Sequence, residues 1–384
     1  MSQGGSLIKR GATWTAYWFV ADAAASGGRR QRTKGGFRTK DQARIHLTEQ
    51  LGKLQAGTWT EPSKLTVGQY LEHEWLPQRH DLKASTRHGY AGIITGRLVP
   101  AIGGIRLRDL TAGQIGALYA ELRESGNRRG KNPTGGISER SLKHTHTVLH
   151  KALEDAVDAG LISRNPARAK TLAPKPRNVE MRVWSADEVR VFLASTEGDR
   201  FHACYLLALA RGLRRGELLG LKWGDVDLDQ GQLSIRRARV SAGYEVVEGE
   251  PKSGRARVVP LTEVHKRELR AHRRRQLEER MAWGEAWADT GYVFTSEDGN
   301  PVHPQTLAWH FTKAVRAAGV PVIRFHDLRH TCATIALTQG VPAKVVQEML
   351  GHSSISITLD LYTHVVPGMQ DDAAAKIDAI VFGN

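Results

Sequence analysis

The sequence predicts an α+β chain, mainly helical with small β-sheets, built in three successive parts. Three observations carry this expectation. Boxes of the form Thr-x-x-Gln or Ser-x-x-Glu stand at Thr39, Thr66, Thr111 and Ser185. Each marks a helix start, because the first and fourth side chains can satisfy backbone N–H groups that the first turn leaves free. Residues 13–20 (TWTAYWFV) and three alternating stretches between Gln232 and Pro260 follow the period-two pattern of strands instead. Finally, Pro174 and Pro176 sit in a basic stretch with Lys170, Lys175 and Arg177, which forbids a regular helix and divides the chain.

Residues 1–62 read as a β-β-β-α unit. After the aromatic strand come RRQRTK, bracketed by Gly27-Gly28 and Gly35-Gly36, and a third strand starting at Gly36-Phe-Arg38. Thr39 then opens a helix carrying Ile45, Leu47, Leu51 and Leu54. Arg30 and Arg32 alternate with Gln31 and Thr33, so one strand face holds the arginines and the other the amide and hydroxyl.

Residues 63–172 read as helical throughout. Helices start at Thr66, near Ser85 and at Thr111, and a longer one over 141–159 sets Leu142, Val148, Leu149, Leu153, Ala156 and Val157 along one side. Residues 173–183 form the linker. The last part, 184–384, opens at Ser185 and continues through an apolar helix over 204–210 and the segment RGLRRGELLGL at 211–221. A three-stranded sheet is expected over 232–240, 244–247 and 255–260, with Lys252 presented on the turn before its last strand. A basic helix follows over 262–281, and residues 371–382 repeat Ala373, Ala374, Ile377, Ile380 and Val381 at helical spacing.

Charge is segmental. Of the net +15, residues 1–60 hold 10 Lys/Arg against 3 Asp/Glu and residues 61–180 hold 19 against 12, so each segment carries +7. The remaining 204 residues hold 26 against 25. An excess confined to the first 180 residues points to modules that grip a polyanion, joined to a nearly neutral body. The two cysteines, Cys204 and Cys332, lie in apolar helical runs and read as buried thiols of a reducing compartment. Residues 1–12 are Gly-rich and polar with no signal peptide, and the longest apolar run, 204–210, is too short to span a membrane. A cytoplasmic protein is expected.

The most informative stretch runs from His326 to Tyr362: HDLRHT, an apolar helix, LGHSS, and then LYTH. His326, Arg329 and His330 stand at i, i+3 and i+4 and can line one helix face. Two arginines, several imidazoles and a tyrosine, without a carboxylate cluster or a Cys/His ligand set, suit a phosphodiester better than an acyl group or a metal. In order, Arg214 in GLRRGE, His326 and Arg329 in HDLRHT, His352 in LGHSS and Tyr362 in LDLYTHV resemble the tyrosine recombinases of the phage integrase family over about residues 181–365. Ala210-Arg211 stand where many relatives carry a Thr before the Gly.

The resemblance implies an arm-type DNA-binding unit (1–62), a helical core-binding domain (63–172) and a catalytic domain (184–384). It also implies a site-specific DNA recombinase, the integrase of a phage or integrative element, that forms a 3′-phosphotyrosine link through Tyr362 and needs neither metal nor ATP. Arg214 and Arg329 then bind the phosphate, His326 acts as base, His352 hydrogen-bonds the phosphate, and Lys252 protonates the leaving oxygen. Lys222, Arg255 and Arg257 stand near Lys252 as rival cations. Glu217 orients an active-site arginine, and Asp327 caps its helix. Arg30, Arg32, Lys83, Arg87, Lys143 and Arg177 are candidate DNA contacts. The expected partners are double-stranded DNA with core and arm sequences, three further copies in a tetramer, a host DNA-bending factor and an excision helper, all in the cytoplasm of a bacterial host. A dimer-resolving recombinase and an inactive DNA-binding regulator on the same fold are the alternatives.

Overall fold

The computed structural model describes residues 4–21, 28–57, 59, 63–126, 135–169, 172–176, 181–251, 256–359 and 378–383. The chain divides into two compact units, residues 1–177 and 178–384.

In the first unit, β1 (Ser6–Arg10), β2 (Thr13–Ala21) and β3 (Arg29–Phe37) form an antiparallel sheet in that order. Alternation along β2 turns Ala16, Trp18 and Val20 onto Leu47 of α1 (Lys40–Gln55), with Leu51, Leu54 and Trp59 packed alongside. Thr39 closes its predicted capping box with Gln42. Two strand expectations need correction. The first strand is Ser6–Arg10, which lacks the aromatic signature, and no strand begins at Gly36. Gly35 and Gly36 lie inside β3, where the register skips between the Ala16↔Lys34 and Trp14↔Phe37 pairs. A bulge therefore absorbs the two glycines that read as a turn.

Helices build the rest of this unit. α2 (Val67–Gln69) runs through a wide turn, Tyr70–Trp75, into α3 (Leu76–Gln78), and α4 (Ala84–Ile93) runs through another, Ile94–Leu98, into α5 (Val99–Ile102). α6 (Ala112–Ser125) and α7 (Glu139–Asp158) complete the set. Thr66 and Thr111 form their boxes with Gln69 and Gln114, whereas α4 starts at Ala84 after Lys83, one residue before the expected Ser85. The apolar stripe of α7 (Leu142, Val148, Leu149, Leu153, Ala156) is buried against Leu71, Ile94, Leu98 and Ile115. Polar ties cross this core: the Tyr70 hydroxyl donates to the Ala152 carbonyl at 2.9 Å, and Trp75 Nε1 to Asp155 at 2.6 Å.

The second unit opens with α8 (Ala186–Ser195), capped by Ser185 and Glu188. α9 (His202–Arg211) follows, with residues 203–209 buried on all sides, and then the short α10 (Arg215–Leu219). The strands do not form the single expected sheet. β4 (Val226–Asp227), β5 (Gln232–Ile235) and β8 (Arg257–Pro260) make one sheet, while β6 (Ala238–Ala242) and β7 (Glu245–Gly249) make a separate hairpin. The predicted 232–240 strand breaks at Arg236-Arg237, where Arg237 turns to donate to buried Asp225 at 2.5 Å.

Then come α11 (Glu263–Trp283), α12 (Pro304–Ala317), α13 (Asp327–Thr338) and α14 (Ala343–Leu350). α13 belongs to two apolar clusters. Leu328 joins the main core with Tyr205, Leu218 and Phe325, and Ala333 and Leu337 pack on Val346 and Leu350 of α14. This double anchorage fixes the N-terminal turn of α13, the end that carries His326 and Arg329.

Candidate active site

Two glycine turns hold the two arginines. α9 ends at Gly212, whose left-handed backbone (φ 62°) closes the helix and turns the chain toward Arg214. The Gly212 carbonyl accepts a hydrogen bond from Arg329 Nη1 at 2.6 Å. α14 ends at Gly351, whose carbonyl accepts from Arg214 Nη2 at 2.8 Å. Each guanidinium is thus tied to the helix end that presents another part of the site.

Glu217 lies beneath them, 1% exposed. It accepts from the Arg214 backbone N–H at 3.0 Å and from Arg214 Nη1 at 2.7 Å. Arg257, the first residue of β8, forks onto both carboxylate oxygens at 2.9 and 2.7 Å. Burial pushes the Glu217 carboxyl up, but the hydrogen bonds and charge of Arg257, followed by those of Arg214, outweigh it and hold the group down at about 2.

Arg329 is 3% exposed, and burial, followed by the nearby charge of Arg214, lowers it to about 9, so it stays protonated at neutral pH. Its Nη2 is buried without a hydrogen-bond partner among the described residues, leaving a charged donor for an incoming acceptor. His326 precedes α13, its ring 5.1 Å from and perpendicular to that of His330. Burial, then His330 and Arg329, lowers His326 to about 4. His352 is lowered to about 4 by burial and then by Arg329 and Arg214; its Nδ1 lies 2.9 Å from the Thr358 hydroxyl. Both rings are neutral at pH 7. Arg214, His326, Arg329 and His352 are therefore brought within one another's electrostatic reach.

Lys252, Tyr362 and Arg177 lie outside the described residues, as do His364 and Arg255. Of the rival cations, Lys222 sits over the Tyr292 ring at 4.8 Å and Arg257 is committed to Glu217. Asp327 does not cap α13 with its side chain. It accepts instead from the backbone and guanidinium of Arg324 at 2.8–3.0 Å, bracing the loop that enters the helix. Among the candidate DNA contacts, Lys83 and Lys143 are exposed, and Arg87 donates to the Arg79 carbonyl at 2.7 Å. Arg30 and Arg32 stand opposite Val20 and Trp18, on the sheet face that packs on α1. The opposite face carries Gln31 and Thr33, paired with Phe19 and Tyr17. In the sequence Arg257 stands out only as a rival cation to Lys252. The signal available was a charged residue at an inward position of an otherwise apolar strand, opposite Ile235.

Residues 183–368 match the phage integrase family. A tyrosine recombinase XerC-like protein of Caldanaerobacter subterraneus is 32% identical over 362 residues, covering 89% of this chain and 90% of the relative. The chain belongs to the phage integrase family of tyrosine recombinases. The integrase of Mycobacterium phage L5 is 27% identical, covering 82% of both chains. In fold, the chain resembles the Tn1549 transposon integrase in complex with transposon right end DNA (TM-score 0.67, 20% identity, 82% of this chain and 99% of that one). It also resembles a lambda integrase tetramer bound to a Holliday junction (TM-score 0.58, 20% identity, 90% and 92%).

Proposed function

We propose that this recombinase is the integrase of a phage or integrative element, cutting and rejoining double-stranded DNA at specific attachment sites in integration and excision. The observation that carries this reading is the convergence of Arg214 and Arg329, the latter with a donor that has no partner among the described residues, beside two neutral imidazoles. That set suits a phosphodiester under attack. The Tyr362 oxygen attacks phosphorus, its proton passes to His326, and the bond to the 5′ oxygen breaks. Lys252 protonates that oxygen, leaving a 3′-phosphotyrosine and a free 5′-hydroxyl. A 5′-hydroxyl of the partner DNA then reverses the sequence, so the bond energy is retained. Arg214 and Arg329 stabilise charge on the non-bridging oxygens. If Thr358 donates to Nδ1 of His352, the neutral ring keeps its proton on Nε2 for the phosphate.

The three-stranded sheet unit is read as the arm-site module and the helical segment as the core-binding module. Four copies act together on DNA, with a host bending factor and an excision helper setting direction. Of the tail expected to be helical over 371–382, residues 371–377 lie outside the described residues; residues 378–382 are helical, with Ile380 and Phe382 84% and 72% exposed.

The test compares the full chain with a truncation beginning at Glu61, on attachment sites recovered from the DNA flanking the gene. The full chain is expected to join two separate molecules. The truncation is expected to cleave a core half-site but fail to integrate. A full chain that only resolves directly repeated sites, or a truncation that integrates normally, contradicts this reading.

A further inference from the structure

We propose that Arg257 is a positioning residue for strand transfer: it neutralises Glu217 and so leaves Arg214 its charge for the phosphate. The inference rests on the reading of Arg214 as a phosphate ligand.

Glu217 serves Arg214 in two ways, accepting from its backbone N–H and from its guanidinium. This orientation has an electrostatic cost. A buried carboxylate paired with one arginine makes a neutral couple, and a neutral couple draws a phosphate weakly. Arg257 changes the balance by engaging both carboxylate oxygens at once. Charge-assisted forks of this kind are the strongest carboxylate contacts a side chain makes. With Arg214, Arg257 and Arg329 set against Glu217, the pocket keeps two positive charges. The scissile diester brings one negative charge, and a second develops on its non-bridging oxygens during attack.

Arg257 also braces the histidine loop. A Cβ built on Gly351 would lie 3.3–3.4 Å from its Nη1, Cδ and Cζ, so the Arg257 side chain packs closely against Gly351. The carbonyl of that glycine holds Arg214, and the next residue is His352. Pairing of Arg257 with Ile235 fixes its position in the sheet, five residues after Lys252. One side chain thus links the strand that follows Lys252, the Arg214 turn and the His352 loop.

The test is single-turnover formation of the Tyr362 adduct on a nicked half-site, with half-site affinity and thermal melting measured on the same preparations. Arg257→Gln is expected to slow adduct formation by about 10²-fold, the scale for a lost preorganised donor, with affinity within about threefold of wild type. Adding Glu217→Gln is then expected to recover at least about tenfold, because an amide no longer quenches Arg214. A purely structural arginine gives the opposite: a double variant as slow as Arg257→Gln or slower, which would overturn the proposal. Should Arg257→Gln fail to fold, Arg257→Lys decides. It retains the charge and is expected to cleave within about tenfold of wild type, and a rate as low as that of Arg214→Ala overturns the proposal. Wild-type protein that forms no adduct at all refutes the recombinase chemistry instead, so the two failures are distinguishable.

Discussion

Gly212→Ala probes the junction on which the site is built. The alanine would have to adopt a φ of 62°, which costs an L-residue about 1–2 kcal/mol. Its Cβ would also stand 2.1 Å from Leu350 Cδ2, with Cys332 Sγ at 3.5 Å and Arg329 Cγ at 3.7 Å. Relieving such overpacking costs about 1–3 kcal/mol. Together the two effects amount to about 2–5 kcal/mol, or a melting temperature roughly 4–20 °C lower for a unit of this size. The clash pushes the end of α14 away, and Gly351 and His352 move with it, while the Gly212 carbonyl that holds Arg329 shifts as well. Misplacement by about 1 Å can lower the rate by about 10². Differential scanning fluorimetry and adduct formation on a nicked half-site measure the two effects. Leu350→Ala added to Gly212→Ala removes the colliding methyl, so the losses should be less than additive. A Gly212→Ala protein that melts within 1 °C of wild type, or cleaves at its rate, refutes this account of the junction.

Three further outcomes follow from the site. The Glu217 carboxyl titrates near 2 instead of its ordinary 4.5, so its stabilising effect is complete above pH 4.5 and is lost as pH falls toward 2. Denaturant midpoints between pH 6 and 3 should therefore fall less steeply in Glu217→Gln than in wild type; equal slopes contradict the pairing. His326 and His352 titrate near 4, below their ordinary 6.5, so both remain neutral well below pH 6.5. The acid limb of kcat/KM, which reports the free enzyme, should lie near pH 4–5; a limb at 6.5 that vanishes in His326→Gln would contradict the burial of that ring. Lys252→Ala should be rescued by a substrate with a 5′-bridging sulfur leaving group, which needs no acid, whereas Arg329→Ala should stay defective on it. Equal rescue would reassign the acid.

Local physics was legible in the sequence and non-local pairing was not. The boxes at Thr39, Thr66, Thr111 and Ser185 all form, because a cap depends on residues three positions apart. The stripe of α7 is buried for the same reason. By contrast, the break at Arg236-Arg237 depends on Asp225, and the pairing of β5 with β8 spans more than twenty residues. Such choices leave little trace in alternation. At the site, the residue types and spacings of His326, Arg329 and His352 were readable. The two glycine carbonyls that anchor the arginines were not, since any residue carries a carbonyl and only the fold decides which one is aimed. Asp327 shows the same limit: an acid in the first turn of a helix reads as a cap, yet Arg324 claims it.

A nicked half-site that loses its leaving strand decides whether Tyr362 is the nucleophile of this DNA strand transferase. Wild-type protein should accumulate a covalent protein–DNA adduct whose DNA-linked peptide, after proteolysis, contains Tyr362. Tyr362→Phe should bind the same half-site with unchanged affinity and form none. An adduct that survives Tyr362→Phe, or one mapped to another residue, places the nucleophile elsewhere.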